Sequence, residues 1–424
     1  MRQHADAGHL QPDAHHDRPG TPHGRQDRRG AEQVTTRTPE PIKDLTELKA
    51  ALQLAVGLEL STIPVYLTAL YSIKDGTNTD AAQTIRSVVM EEMLHMALAA
   101  NVLNSLGERP SVRPVTFRGN QVSPVPVYPY TSPLVSGIGE LALRPLSTEA
   151  VDSFVRIEHP YHGETDPAKI KCPKGGYPTI GMFYDAIKAA LESTKICKDS
   201  DFTGARQVKA TEYYGGAGEL IEVTDRKTAL AAINKIVDQG EGLPIERMKQ
   251  QAKTVTDEDK LGYGWQMYSH YARFRELQTG RRFRSTQTAG ETPAGSLLLV
   301  DYDAVQPAQF VKLNGDITGG PEGAALNEFD LAYTRLVDDV YLAFSGAEKK
   351  VENKLEPSGK QSKDPLPLAV HGMYALKNRA VALMRTPIPS SPKHTLCPRF
   401  HYAATEDDRK KLRDTAQQMR GQSR

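Results

Sequence analysis

The second long helical pattern of this chain places a carboxylate and an imidazole where apolar side chains belong. Between about residues 80 and 106, Ile85, Val88, Val89, Met96, Ala99, Val102 and Leu106 form one stripe at the helical period, and Glu92 and His95 fall inside it. Residues three apart share a helix face one turn apart, so both polar groups enter the core together. Burying either without a partner costs several kcal/mol. A metal ion is one partner that satisfies both, and Glu-x-x-His projecting inward is a recurring feature of helix bundles that hold carboxylate-bridged metals. Alone this spacing is a weak signal, because it also occurs on surfaces; its place within an apolar stripe gives it weight. Glu91 lies about a hundred degrees round the helix from Glu92 and reads as solvated.

The first helical pattern, about 45–73, repeats the anomaly. Asp44 or Thr46 can cap it, with Glu47 in the first turn. Leu52, Val56, Ile63, Tyr66 and Leu70 form its stripe, and Glu59 sits among them. Two successive helices joined by a short loop pack antiparallel, which lets Glu59 face Glu92 and His95. The plainer reading of Glu59 is a buried acid paired with an Arg or a Tyr. Pro64 interrupts this helix and frees a carbonyl or kinks it.

A bundle site draws its other half from further helices. In the pattern 227–239, Leu230, Ile233 and Val237 share a face that continues to Glu241, just after Gly240. In the pattern 258–278, Tyr263, Met267, Phe274 and Leu277 share a face that also holds His270. A second Glu-x-x-His is absent because position 267 is Met, so another ligand is needed. Glu158 follows Val151 and Phe154 on one face of a short helix, 148–158, and is the best candidate; His159 and His162 are alternatives. The expected metal ligands are therefore Glu59, Glu92, His95, Glu158, Glu241 and His270. All of these but Glu158 are also expected to be catalytic. Carboxylates with two imidazoles and no thiolate suit two iron ions as Fe2+, or manganese, and argue against an Fe–S cluster or structural zinc. Tyr66, Tyr184, Tyr263 and Tyr271 can line such a pocket, although core packing is the commoner use of tyrosine.

The rest of the chain bounds the setting. Among 424 residues, 53 Lys and Arg face 52 Asp and Glu, a net charge of +1 that supplies no nucleic-acid surface. The apolar runs read as too short for a membrane span, so a soluble protein is expected. Three cysteines without a Cys-x-x-Cys pair suggest a reducing cytoplasm. Residues 1–41, with five of the twelve histidines, are expected to be a disordered extension. Residues 42–402 are expected to form the folded domain, and 403–424 a polar, solvated tail. Within the domain, six prolines between Pro110 and Pro133 mark a long irregular insertion. A helix at 180–193 and a short strand at 220–223 follow, and patterns at 327–344 and 367–384 add C-terminal helices. The fold class is mainly α, a four-helix bundle with elaborations.

Several runs resemble the ferritin-like domain of the iminophenylpyruvate dimer synthase family. They are Leu58 to Leu67 in the first helix, Glu91 to Met96 in the second, Thr179 to Tyr184, Gln239 to Gly242, and Ser269 to Phe274. The similarity extends over roughly Pro41 to Tyr402. Members of that family act in bisindole pathways to violacein and to rebeccamycin or staurosporine, where they couple two imines derived from an aromatic amino acid. The similarity is to their C-terminal ferritin-like part, so it implies the metal site more directly than the coupling. Haem has been associated with chromopyrrolate-forming members, but no haem-attachment motif marks this sequence. The resemblance implies an O2-dependent oxidase or oxygenase of a small, amino-acid-derived metabolite in secondary metabolism, with imine oxidation, coupling, desaturation and hydroxylation left open. The expected partners are that substrate and O2, with no nucleic acid and no membrane; a homo-oligomer or a pathway enzyme is also compatible. The competing readings are a ferritin-type iron-storage protein, against which the long elaboration argues, and a scaffold with a decayed site.

Overall fold

The first helix is apolar on every side, which fixes its place at the centre of the protein. A computed structural model describes residues 40–159, 175–204, 207–209, 218–240, 268–284, 286–287, 290–310, 320–345 and 365–422. Helix α1 runs Leu45–Ser72, and every residue from Ala51 to Tyr66 is buried. By length and composition this helix is apolar enough to cross a membrane, contrary to the expectation above. Its apolar surface is instead covered by protein on all sides, as expected for the core helix of a large domain. Asp44 caps it by accepting from the Glu47 amide at 2.8 Å. Pro64 lies inside the helix, and the Thr68 hydroxyl donates to its carbonyl at 2.7 Å.

Helix α2, Thr79–Ser105, returns beside α1 after a short connection, and these two helices share the most extensive contact in the fold. Shorter helices complete the bundle: α3, Thr148–Ile157; α4, Ile180–Glu192; α5, Arg226–Gln239; and α6, His270–Thr279. Helix α3 packs on α6, α5 packs on both α2 and α4, and α6 touches α2. Helix α6 is shorter than expected, because Tyr268 and Ser269 are not helical; Ser269 caps it by accepting from the Ala272 amide. Residues 258–267 lie outside the described residues, as do the N-terminal 39.

The proline-rich passage forms a strap across α1. It holds two hairpins, β1 (Val115–Phe117) with β2 (Asn120–Val122), and β3 (Tyr130–Thr131) with β4 (Glu140–Leu141). Polar groups on α1 are matched to the strap. The Gln53 side chain exchanges two hydrogen bonds of 2.9 Å with the backbone of Ser111, and Tyr128 donates to the Ser61 carbonyl at 2.8 Å. At Gly57 a Cβ would lie 2.3 Å from the Pro124 carbonyl oxygen, so only glycine lets the strap approach.

Residues 220–223 are not a strand. Asn101 donates to the Ile221 carbonyl, and the Gln207 side chain both donates to and accepts from the Val223 backbone. Side-chain amides thus take the place of a neighbouring strand.

Helices α7 (Gly320–Phe344) and α8 (Pro365–Met384) pack on each other, and α8 also reaches α1. Strands β5 (Ala308–Gln309), β6 (Pro387–Ile388) and β7 (Ser391–Leu396) form a small sheet in the order β5-β7-β6. The expected polar tail is instead helix α9, Glu406–Gln422, packed along α7. It buries Leu412 and Ala416, and Arg409 pairs with Asp338 of α7 at 2.9 Å. Two apolar residues one turn apart were too few to stand out in so charged a segment.

Replacing Gly57 by alanine should cost about 1–3 kcal/mol through overpacking against the strap. Chemical denaturation of Gly57→Ala beside wild type measures this; unchanged stability would show that the strap does not bear on α1.

Candidate metal centre

Glu59 from α1, Glu92 and His95 from α2, Glu158 at the end of α3 and His270 at the start of α6 meet at one point, each at most 1% exposed. Helix geometry explains the meeting. Glu92 and His95 are one turn apart on α2, α1 runs alongside it, and α3 and α6 pack as a pair that closes the remaining side. The Glu59 Oε2 atom lies 3.8 Å from His95 Nδ1. The His270 Nδ1 atom lies 3.1 Å from Glu92 Oε1 and 3.4 Å from Glu158 Oε2. The two imidazole rings are stacked, with centroids 5.2 Å apart and 24° between their planes. Donor atoms of Glu92, His95 and His270 all lie within 4.8 Å of one another.

The outward-facing atoms are all engaged. Tyr184 donates to Glu59 Oε1, and Tyr66 donates to Glu158 Oε1 at 2.5 Å. The Nε2 atom of His95 is 3.0 Å from Gln239 Oε1 at the end of α5. The Nε2 atom of His270 is 2.8 Å from Glu91 Oε2, and Glu91 is in turn bonded by Arg273, which also donates to Ser87 at 2.8 Å. In both imidazoles an acceptor on Nε2 places a proton there, so Nδ1 is the atom each ring would offer to a metal.

The inward-facing atoms are not engaged. Glu59 Oε2, both oxygens of Glu92, Glu158 Oε2, His95 Nδ1 and His270 Nδ1 are buried without a hydrogen-bond partner. Buried polar atoms are nearly always bonded, so six such atoms converging on one point require an explanation. They divide into two half-sites, Glu59 with His95 and Glu158 with His270, with Glu92 between them. In the forms that bind a metal, three ionised carboxylates and two neutral imidazoles would sum to −3, and Arg273, the guanidinium in this cluster, is matched to Glu91. Divalent cations fit both the charge and the donor set, and no cysteine is among the donors.

Electrostatics follow from that imbalance. Burial, and then the neighbouring Glu158 and Glu59 carboxylates, push Glu92 well above the usual carboxylate range. Burial alone would lower His270, but Glu158, Glu91 and Glu92 hold it well above the ordinary imidazole value. Burial would raise Glu91, yet Arg273 and His270 beside it keep it below its ordinary value. Glu91 is thus paired with its own counter-ion, whereas Glu92 and His270 are both shifted toward holding a proton, a tendency that a bound cation would oppose.

Of the six expected ligands the structure brings together five. Glu241 lies outside the described residues, as do His162 and Tyr263. Gly240, which precedes it, abuts His270: a Cβ there would sit 2.7 Å from Nδ1. His159 turns away toward Tyr271, with ring centroids 5.3 Å apart, so Glu158 rather than His159 enters the cluster. Glu91 is the main correction, being 1% exposed rather than solvated. Helix α2 is packed on several sides, so a residue off the main stripe is still inside. His270 and Arg273, three apart on α6, were the available sign that Glu91 had a buried cation to meet.

Comparison with known proteins agrees with this architecture. Residues 52–279, which include all six expected ligands, match a family model described as Ferritin-like. A 2-imino-3-(indol-3-yl)propanoate dimerase from Chromobacterium violaceum is 26% identical over 276 residues, covering 56% of this chain and 24% of that protein. The aligned part is thus about a quarter of the relative's length. A ferritin-like protein from Caulobacter vibrioides superposes with a TM-score of 0.52 at 21% identity, over 86% of this chain and 100% of that one. The match covers more than half of the sequence and includes the helices that carry the cluster, so the chain belongs to the ferritin-like family.

Proposed function

We propose that the protein is a non-haem di-metal oxidase or oxygenase, with iron as its metal, acting on a small amino-acid-derived metabolite. The observation that carries this reading is the set of six buried, inward-facing donor atoms without hydrogen-bond partners. Glu59 and His95 would hold one ion, Glu158 and His270 the other, and Glu92 would serve both. Glu241 is the remaining candidate. Manganese has the same ligand preferences. Iron held by these residues would supply redox chemistry with O2.

The protein's own residues prepare the site. Tyr184 and Tyr66 fix the carboxylates of Glu59 and Glu158 by one oxygen each, which aims the other inward. Gln239 and the Glu91–Arg273 pair fix the imidazole tautomers. Tyr66, Phe154 and Phe274 form an aromatic cluster with centroids 4.8–5.1 Å apart, which excludes water beside Glu158. The dimerase relative is named for an indole-bearing imine. An aromatic imino acid is accordingly the first substrate class to test, with imine oxidation or oxidative coupling as the reaction.

Metal analysis tests the site. The wild type should hold about two ions per chain after loading with Fe2+, and Glu92→Ala and His270→Ala should each lose most of this while retaining the helical circular-dichroism spectrum. Full metal content in both variants would refute the assignment. Loading should also release protons, because Glu92 and His270 are shifted toward their protonated forms and a cation competes with those protons. Apparent affinity should therefore fall as pH falls, as measured by calorimetry in buffers of different ionisation enthalpy.

Oxygen uptake tests the reaction. Iron-loaded protein with a reductant and an aromatic imino acid should consume O2, and Glu241→Ala and His270→Ala should abolish this. Equal uptake by all three proteins would place the chemistry elsewhere. Growth of a mineral core without substrate-dependent uptake would replace this reading with iron storage.

A further inference from the structure

A second feature of α1 and α2 lies round the helices from the metal centre. Between these two helices and α7 and α8 is a chamber of about 530 Å3, within the size range of pockets that take drug-sized ligands. Its walls include Ile63, Val89, Met96, Val337 and Val370. None of the expected metal ligands lines it. Ile63 and Met96 belong to the helices that carry Glu59 and His95, so the chamber and the metal centre share a wall but not their donors.

The polar groups of this chamber are unevenly matched. Lys74 donates to the Asp303 carbonyl at 3.0 Å, and Asp75 is paired with Arg385 at 2.5 Å. Arg86 and Lys377 also line the chamber, and both are exposed. Neither has an acidic partner within ion-pair distance among the described residues. The chamber therefore combines an apolar interior with surplus positive charge. Burial pushes the Tyr71 hydroxyl up to about 12, against the opposing pull of Arg86, so it remains a hydrogen-bond donor at neutral pH. These are the features that recognise an apolar body carrying one anionic group.

We propose that this chamber is a binding site for an amphipathic carboxylic acid, its apolar body held between α1, α2, α7 and α8 and its carboxylate bound by Arg86 with Lys377. This site is separate from the metal centre and does not rest on the metal reading. Binding alone tests it, with no need for turnover.

Isothermal titration of the full chain with 3-(indol-3-yl)propanoate, its primary amide and dodecanoate provides the test. At least one acid should bind, and the indole acid, where it binds, should do so more tightly than its amide. Arg86→Gln should weaken acid binding by about tenfold, the loss expected for a charge-assisted hydrogen bond, and leave the amide nearly unchanged. Lys377→Gln should have the same sign and a smaller size. Leu336→Trp and Val370→Trp each fill the chamber from a half-buried position and should remove binding of every probe. Thermal melts identify which of the two is folded, and one folded variant suffices. Tighter indole acid indicates an aromatic ligand and tighter dodecanoate an aliphatic one, and either supports the site. Three results overturn it: neither acid binding at millimolar concentration, acid and amide binding equally, or a folded tryptophan variant binding as well as wild type.

Discussion

Three carboxylates and two imidazoles buried around one point, with their free atoms facing each other, are the constraint on which this structure turns. Repulsion among Glu59, Glu92 and Glu158 opposes the collapse of the helices that carry them. The surrounding apolar contacts must outweigh that repulsion, and α1 supplies much of them by being buried from Ala51 to Tyr66 without a break. The outer contacts divide the work. Two tyrosines, one glutamine and one Glu–Arg pair hold the far sides of Glu59, Glu158, His95 and His270, so rotation of these four away from the centre would break a hydrogen bond as well as displace a side chain. The centre is polar, but everything that holds it in place is fixed by packing.

The same division explains what could be read from the sequence. Glu92, His95 and Glu59 stood out because each interrupts an apolar periodicity, and periodicity is a local property of the chain. The long helices were legible for the same reason, and α1 and α2 begin and end within a residue of expectation. Glu158 followed from a short apolar face and His270 from a longer one. Glu91 was harder to read because its burial depends on α6, which is remote in sequence, and only the face shared by His270 and Arg273 signalled a buried cation there. Helix α9 escaped for the complementary reason: two buried residues, Leu412 and Ala416, are too few to mark an apolar stripe. Residues 220–223 look like a strand locally, but their backbone is taken by the amides of Asn101 and Gln207. In each case the missing information was the identity of a distant neighbour.

The elaborations around the bundle are structural partners of the core helices. The proline-rich strap satisfies Gln53 and the Ser61 carbonyl, and its closest approach passes over Gly57. On the other side, Asn104 of α2 donates to the Phe344 carbonyl at the end of α7, which answers one of the unpaired carbonyls of a helix terminus. These additions change what α1 and α2 can be. Faces that a bare bundle would have to make polar are free here to be apolar.

The chain separation within the polar cluster also bears on how the protein is made. His270 and Glu91 are 179 residues apart, and Tyr184 and Glu59 are 125 apart. Contacts of such range form late, because a long loop must close before they are rewarded. On a ribosome the first two helices emerge well before α6, and at that stage Glu59, Glu91 and Glu92 have neither Arg273 nor His270 beside them. The nascent hairpin is then a pair of apolar helices bearing acids whose partners have yet to be made. The emergence of α6 thus becomes the step that completes the polar cluster.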